Sequence, residues 1–323
     1  MLEVKNLTKR FKDRTALDNV SLRVGEGEVF GYLGPNGSGK TTTMRVLLGL
    51  LEPTAGEALL WGKRASQNPE VRRRTGVLLE ADGLYPRLTA YDNLDYLARL
   101  YSVPDREPRI ARLLEFAGLT SRSHDKVGSF SRGMRRKLGL VRALLHSPDL
   151  LMLDEPSVGL DPEGQKMVRD LIVNLSTESK ITVFLSSHDL DEVQRLCDSI
   201  AVLQNGRIRL LGKLSTLRDS DGDSTAEIVL MDAVRTDEAL KLLLAHPAVS
   251  AANRSSVGIT LGLCDGHGAI AAAAALEAHG IEVREMRRSQ RSLEEIYLNV
   301  MREEKTSEQT VGSGGERVQG VGR

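Results

Sequence analysis

A glycine-rich run, Gly34-Pro35-Asn36-Gly37-Ser38-Gly39-Lys40-Thr41-Thr42, brings together residue types suited to binding phosphate. Its glycines let successive backbone N–H groups turn inward around an anion, and the pattern G-x-x-x-x-G-K-[ST] sets a lysine and a hydroxyl directly after the turn. Lys40 is expected to reach β- and γ-phosphates, and Thr41 to ligate Mg²⁺. Further on, the apolar run Leu150-Leu151-Met152-Leu153 ends in Asp154 and Glu155, and Ile181 to Ser187 ends at His188. Beside a phosphate loop, Asp154 suits metal support through water, and Glu155 suits orienting or deprotonating an attacking water. An imidazole at His188 suits contact with a γ-phosphate. The chemistry implied is hydrolysis of a nucleoside triphosphate.

These residues need strands and helices to hold them. Val29-Phe30-Gly31-Tyr32-Leu33 before the glycine run and Thr43 to Gly49 after it read as strand, loop and helix. Continuous apolarity at 150–153 predicts a central parallel strand buried on both faces. Leu2 to Leu7 and Leu17 to Val24 alternate apolar and polar, so an antiparallel sheet is expected ahead of the nucleotide core. Between those strands, Phe11 can stack on a base or pack into the core. Short strands are expected at Glu57 to Trp61 and Gly76 to Leu79. From about 81 to 146 the period changes to that of helices: Thr89-Ala90-Tyr91-Asp92 opens one, Pro108 to Phe116 forms another, and Ser131 stands at the N-terminus of a third. Taken alone, Ser131 reads as an N-cap.

Composition narrows the function further. The 323 residues carry 44 basic and 44 acidic side chains, so no net field draws the protein to a polyanion, and nucleic acid is not an expected partner. Arg72-Arg73-Arg74 and Arg132, Arg135, Arg136 and Lys137 read as solvated surface. Cys197 and Cys264 stand far apart without metal-ligand spacing, which points to neither a disulfide framework nor zinc. With no signal core and no long apolar run, a cytoplasmic protein is expected, with any membrane passage in another chain.

The order of Gly34 to Thr42, Phe130-Ser131-Arg132-Gly133-Met134, Leu150 to Pro156, Ser157 to Asp161 and His188 resembles the ATP-binding subunit of ABC transporters over about residues 2 to 215. That resemblance implies an α/β P-loop NTPase core with an antiparallel β-subdomain and a helical insertion, working with ATP and Mg²⁺. It also implies that Phe11 stacks on adenine, Gly34 to Thr42 bind ATP, Asp154 supports the metal, Glu155 is the catalytic carboxylate and His188 the switch histidine. Ser131 and Gly133 would cap the ATP of a partner copy in a head-to-tail homodimer, and Asp161 would belong to a loop crossing that interface. A separate transmembrane permease would receive the work, placing the subunit on the cytoplasmic face of the membrane. The chain departs from the family in two places. The signature Leu-Ser-Gly-Gly-Gln reads Phe130-Ser131-Arg132-Gly133-Met134, and Glu80, standing in place of a glutamine that approaches Mg²⁺, is expected to join Thr41 and Asp154 at the metal.

Beyond Leu211 the pattern restarts as β-α-β-β-α-β, the order of a ferredoxin-like α+β domain, expected over 222–302 as a packing or dimerisation module. A helix from Ser292 to Arg302 would close it, and 303–323, with Gly312-Ser313-Gly314-Gly315, is expected to be disordered. The extension resembles that of subunits serving exporters. Two rivals remain at this point: a soluble ABC-type ATPase acting on ribosomes or DNA, or a weakly hydrolysing regulatory module. One P-loop and no sustained heptads speak against the first.

Overall fold

A computed structural model describes residues 1–219, 224–255, 258–264, 268–289, 293–298 and 300–301. The chain divides into two compact units, Met1–Leu214 and Ser215–Arg323.

In the first unit, β1 (Leu2–Phe11), β2 (Arg14–Val24) and β4 (Ala55–Leu60) form an antiparallel sheet in the order β2-β1-β4. Alternation drives it: Leu2, Val4 and Leu7 are buried while Lys5 and Asn6 are exposed. The hairpin pairs Phe11 with Arg14 at its tip. A second sheet of six strands runs β5-β6-β7-β3-β8-β9. It comprises β3 (Val29–Leu33), β5 (Thr75–Leu78), β6 (Leu150–Asp154), β7 (Thr182–Ser187), β8 (Ser199–Gln204) and, at one edge, the antiparallel β9 (Arg207–Lys213). Every residue of β3, β6 and β7 is buried, as strands covered on both faces require. Beneath the phosphate loop, Phe30 stacks on Phe184 at 5.6 Å between centroids, and the buried Tyr32 hydroxyl bonds Thr43 Oγ1 at 3.1 Å. Each such side chain contributes about 1.5–3 kcal/mol by leaving water.

The helices of this unit are α1 (Lys40–Leu47), α2 (Pro69–Arg73), α3 (Ala90–Leu100), α4 (Arg106–Phe116), α5 (Arg132–Leu144), α6 (Pro162–Thr177) and α7 (Leu190–Leu196), with α3 and α4 packed on α5, while all but the first residue of α8 (Leu214–Asp219) belongs to the second unit. The Thr89 hydroxyl opens α3 by accepting from the Asp92 N–H at 3.0 Å while donating to the Asp92 carboxylate at 2.7 Å. Arg109 of α4 donates to the Leu144 carbonyl at 2.9 Å, joining the Ser147 N–H at 3.1 Å on this last carbonyl of α5. Just beyond, His146 stacks on Tyr101 with centroids 4.2 Å apart.

The second unit has its own apolar cluster, including Ile228, Leu243, Ile259, Leu261 and Leu276. Its order is β10 (Ser224–Leu230), α9 (Thr236–Leu244), β11 (Val249–Arg254), β12 (Ile259–Leu263), α10 (Gly268–Ala278) and β13 (Val283–Ser289). The antiparallel sheet runs β11-β12-β10-β13. Counted within this unit the strands lie as second, third, first, fourth, the arrangement a β-α-β-β-α-β chain takes when both crossovers skip a strand. Residues 293–298 are helical. The stretch 303–323 lies outside the described residues. Among the described residues no helix is long and apolar enough to cross a membrane.

Candidate functional site

Three strand ends meet at one edge of the six-stranded sheet, because register aligns Leu33 with Ser187 and Asp154 with Ser186. At the carboxyl edge of β3 the chain turns through the glycine run into α1. Only glycine fits at two of its positions: a Cβ on Gly34 would meet the Leu203 carbonyl oxygen at 2.2 Å, and Gly39 has φ +115° with the Ala16 oxygen 2.7 Å from where its Cβ would be. Within that turn the Lys40 ammonium donates to the Gly34 carbonyl at 2.7 Å and lies 3.5 Å from Glu155 Oε1. It is 6% exposed, so its charge sits in a site largely shielded from water.

Thr41 Oγ1 donates to Asp154 Oδ2 at 2.8 Å, and the Ser186 hydroxyl donates to Asp154 Oδ1. Glu155 follows at φ +52°, a left-handed conformation unusual outside glycine, with its N–H bonded to the Ser186 carbonyl at 3.1 Å. One carboxylate oxygen, Oε2, lies 2.7 Å from His188 Nδ1. The other, Oε1, is buried and makes no hydrogen bond, although Lys40 stands within ion-pair range. A buried carboxylate oxygen left open in this way suits a water or a ligand hydroxyl brought to it.

Around these groups is a cavity of about 800 Å³. It is lined by Phe11, Pro35, Asn36, Gly37, Gly39, Lys40, Thr41, Thr42, Glu80, Asp154, Glu155 and His188 of the residues expected from the sequence. Phe11, 43% exposed, is a wall of this cleft and not a core residue, and Lys9 Nζ lies 5.0 Å from its ring centroid. Glu80 is exposed on the wall. Gly34 and Ser38 are in the loop but not on the lining. Ser131, Gly133 and Asp161 also lie off it. Ser131 caps α5 by accepting from the Met134 N–H at 3.2 Å, and Asp161 caps α6 by accepting from the Gly164 N–H at 3.0 Å. The two caps are neighbours, since the place of a Gly133 Cβ would be 3.5 Å from the Gly159 carbonyl oxygen and that of a Gly159 Cβ 3.1 Å from Arg132 Nε.

Several participants carry no sequence signal that spacing could expose. Arg14 donates to the Gly37 carbonyl at 2.9 Å, tying the Phe11 hairpin to the phosphate loop. Glu192 is buried and accepts from the hydroxyls of Ser157 and Ser187, the latter at 3.0 Å. Burial pushes its pKa up, against the pull of those two donors. Arg132, Arg135 and Arg136, read from the sequence as solvated surface, instead line the cleft, and the Arg136 guanidinium is engaged by backbone carbonyls. Asp82 also lines the cavity.

The residues present fit a hard divalent cation. A threonine hydroxyl and a carboxylate converge at 2.8 Å, and Mg²⁺ takes one or two protein oxygens, with phosphates and water completing its shell. The pattern of the ABC transporter family matches residues 17–158. An uncharacterized ABC transporter ATP-binding protein of Bacillus subtilis, YhcH, is 44% identical over 209 residues, covering 64% of this chain and 68% of that protein. The chain belongs to the ABC transporter ATP-binding proteins. The Nod factor export ATP-binding protein I of Cupriavidus metallidurans is 40% identical over 224 residues, 68% of this chain and 74% of its own length. Among solved structures, a dimeric ATP-binding cassette in a post-hydrolysis state bound to ADP and Pi matches with a TM-score of 0.61 at 28% identity, covering 66% of this chain and 99% of that one. This ATP-binding protein thus has the P-loop NTPase fold of its family.

Proposed function

We propose that the protein binds Mg²⁺·ATP in this cleft, hydrolyses it as half of a homodimer and so drives a separate transmembrane permease, in the direction of export. The observation that carries the reading is the convergence of Lys40, Thr41, Asp154, Glu155 and His188 at one sheet edge. On this reading, Phe11 offers its face to adenine, and the N–H groups of 34–42 surround the phosphates. Lys40 leaves its loop carbonyl for the β- and γ-phosphates, releasing Glu155 Oε1 to hold the attacking water and accept its proton. Thr41 and Asp154 would hold Mg²⁺, which supplies charge neutralisation on the phosphates. Glu80 lines the same space, following the strand paired with β6. His188 steadies Glu155 through Nδ1 and is free to turn to the γ-phosphate.

Ser131 and Gly133 lie off their own chain's cleft, which favours a role at a partner's nucleotide. Asp161, capping α6 beside them, would shape the loop that meets the partner. The dimeric cassette among similar structures supports the pairing, and the export name of the Nod factor relative supports the direction. Work on a permease places the protein on the cytoplasmic face of the membrane. The zero formal net charge disfavours a nucleic-acid partner.

Phosphate release by the purified protein in Mg²⁺ and ATP tests the enzymatic part; no turnover, alone or with its co-purified membrane chain, would leave only a binding module. Solubilised membranes should yield an integral protein with it. Recovery with ribosomes or DNA instead would replace transport as the function.

A further inference from the structure

Arg136 sits five residues after Ser131 on α5, and its planar guanidinium meets backbone oxygens from two distant stretches. Nη1 donates to the Leu79 carbonyl at 2.8 Å, next to Glu80. Nη2 donates to the carbonyls of Asp154 and Glu155, the latter at 2.9 Å, and Nε reaches toward Pro156 O at 3.4 Å. The Asp154 and Glu155 carbonyls belong to the peptide planes on either side of the Glu155 Cα. Fixing both planes fixes the φ of +52° that aims the Glu155 carboxylate into the cleft. Arg136 acts there beside the Glu155 N–H bond to the Ser186 carbonyl on one plane and the Val158 N–H bond to the Glu155 carbonyl on the other, so that the strained left-handed geometry is held from several sides.

We propose that Arg136 is a positioning residue linking two ATP sites: it ties the helix capped by Ser131 to the backbone of Glu155, so that engagement of Ser131 and Gly133 by a partner's nucleotide sets the chain's own hydrolytic carboxylate. This rests on the dimeric ATPase reading above. α5 is a rigid strut of 13 residues, so a small rotation at its N-terminus moves the guanidinium with it. Carbonyls replace the water that burial strips from Arg136, and they form a fork-shaped receptor that an ammonium cannot span. The coupling travels through one side chain and two short loops.

Three quantities measured on full-length Arg136→Gln and Arg136→Lys test this: affinity for a fluorescent ATP analogue, steady-state ATPase, and the Hill coefficient for ATP. Affinity should stay within about threefold of the parent, while kcat falls on the order of ten- to a hundredfold because the carboxylate is misplaced. The Hill coefficient should fall from near two, the number of sites, toward about one, with Lys giving no rescue. A role in folding alone would instead lower the melting temperature and nucleotide affinity together and keep the cooperativity. Folded variants with parental kcat and Hill coefficient overturn the proposal.

Amide hydrogen exchange of the unmutated Arg136 chain provides a second arm, independent of whether those variants fold. Addition of Mg²⁺·ATP should protect 131–136 and 155–160 together, and Ser131→Ala should shrink the gain at 155–160. Full protection of 155–160 in Ser131→Ala overturns the link. A parent that binds ATP without hydrolysing it defeats the catalytic reading, and the exchange experiment still decides whether the tie exists.

Discussion

At the residue scale, the decisive contrast is between the two oxygens of Glu155, one paired with His188 and the other buried without a hydrogen bond. Replacing the carboxylate by its amide keeps the shape and removes the base. Glu155→Gln should therefore bind ATP as the parent does and lose roughly two to three orders of magnitude in kcat, read by phosphate release against nucleotide binding. Turnover near the parental rate would move the base elsewhere. The identities of Lys40, Thr41, Asp154, Glu155 and His188 were legible in the sequence because each ends or follows a short motif with a fixed spacing. Arg136 and Glu192 were not, since they act on backbone carbonyls and on hydroxyls brought close only by folding. No pattern marks a residue whose partners lie at 79 and 154.

Elements show a similar division. Burial on both faces made β6 readable as an apolar run, and the N-caps at Thr89 and Ser131 follow from local rules, whereas Asp161 read as part of an interface loop and its cap did not show. Asp161 holds the first turn of α6, with Pro162 at its N-terminus, so Asp161→Ala should cost about 1 kcal/mol of stability in denaturant unfolding, whatever else it does at an interface. No loss would show that solvent caps the helix as well. The packing of α3 on α5 was less legible because it uses a histidine. His146 stacks on Tyr101, and burial lowers its pKa, with Arg142 and Arg109 adding to the shift against the Thr75 carbonyl contact. A folded pKa below the unfolded value of about 6.5 means stability that is present above that pH and lost as pH falls through the folded value. His146→Phe keeps the ring and removes the proton, so the parent's melting temperature should drop relative to this variant's between neutral and acidic pH. Parallel curves would show that protonating His146 costs nothing.

For the whole molecule, shared sites make a prediction that no single chain can satisfy. Lys40→Ala removes the phosphate lysine and Ser131→Arg obstructs the cap, so each variant alone has no intact site. Random mixing makes half the dimers heterodimers, each with both lesions in one site and the other site whole, and up to about a quarter of parental activity should return. Activity that stays at the level of the separate variants would mean that each chain builds its own site.

The two units also have separate apolar clusters, one around Phe30, Tyr32 and Met152 and the other around Ile228, Ile259 and Leu276. Every candidate nucleotide contact falls in the first. Ligand at a hundred times its dissociation constant adds about 2.7 kcal/mol to whatever unfolds with it. A calorimeter should then see ATP push one endotherm upward and leave the other where it was. Warmed in the absence of fuel, the motor half would be the part whose survival depends on supply, while the appended sheet would melt at a temperature set by its own sequence alone.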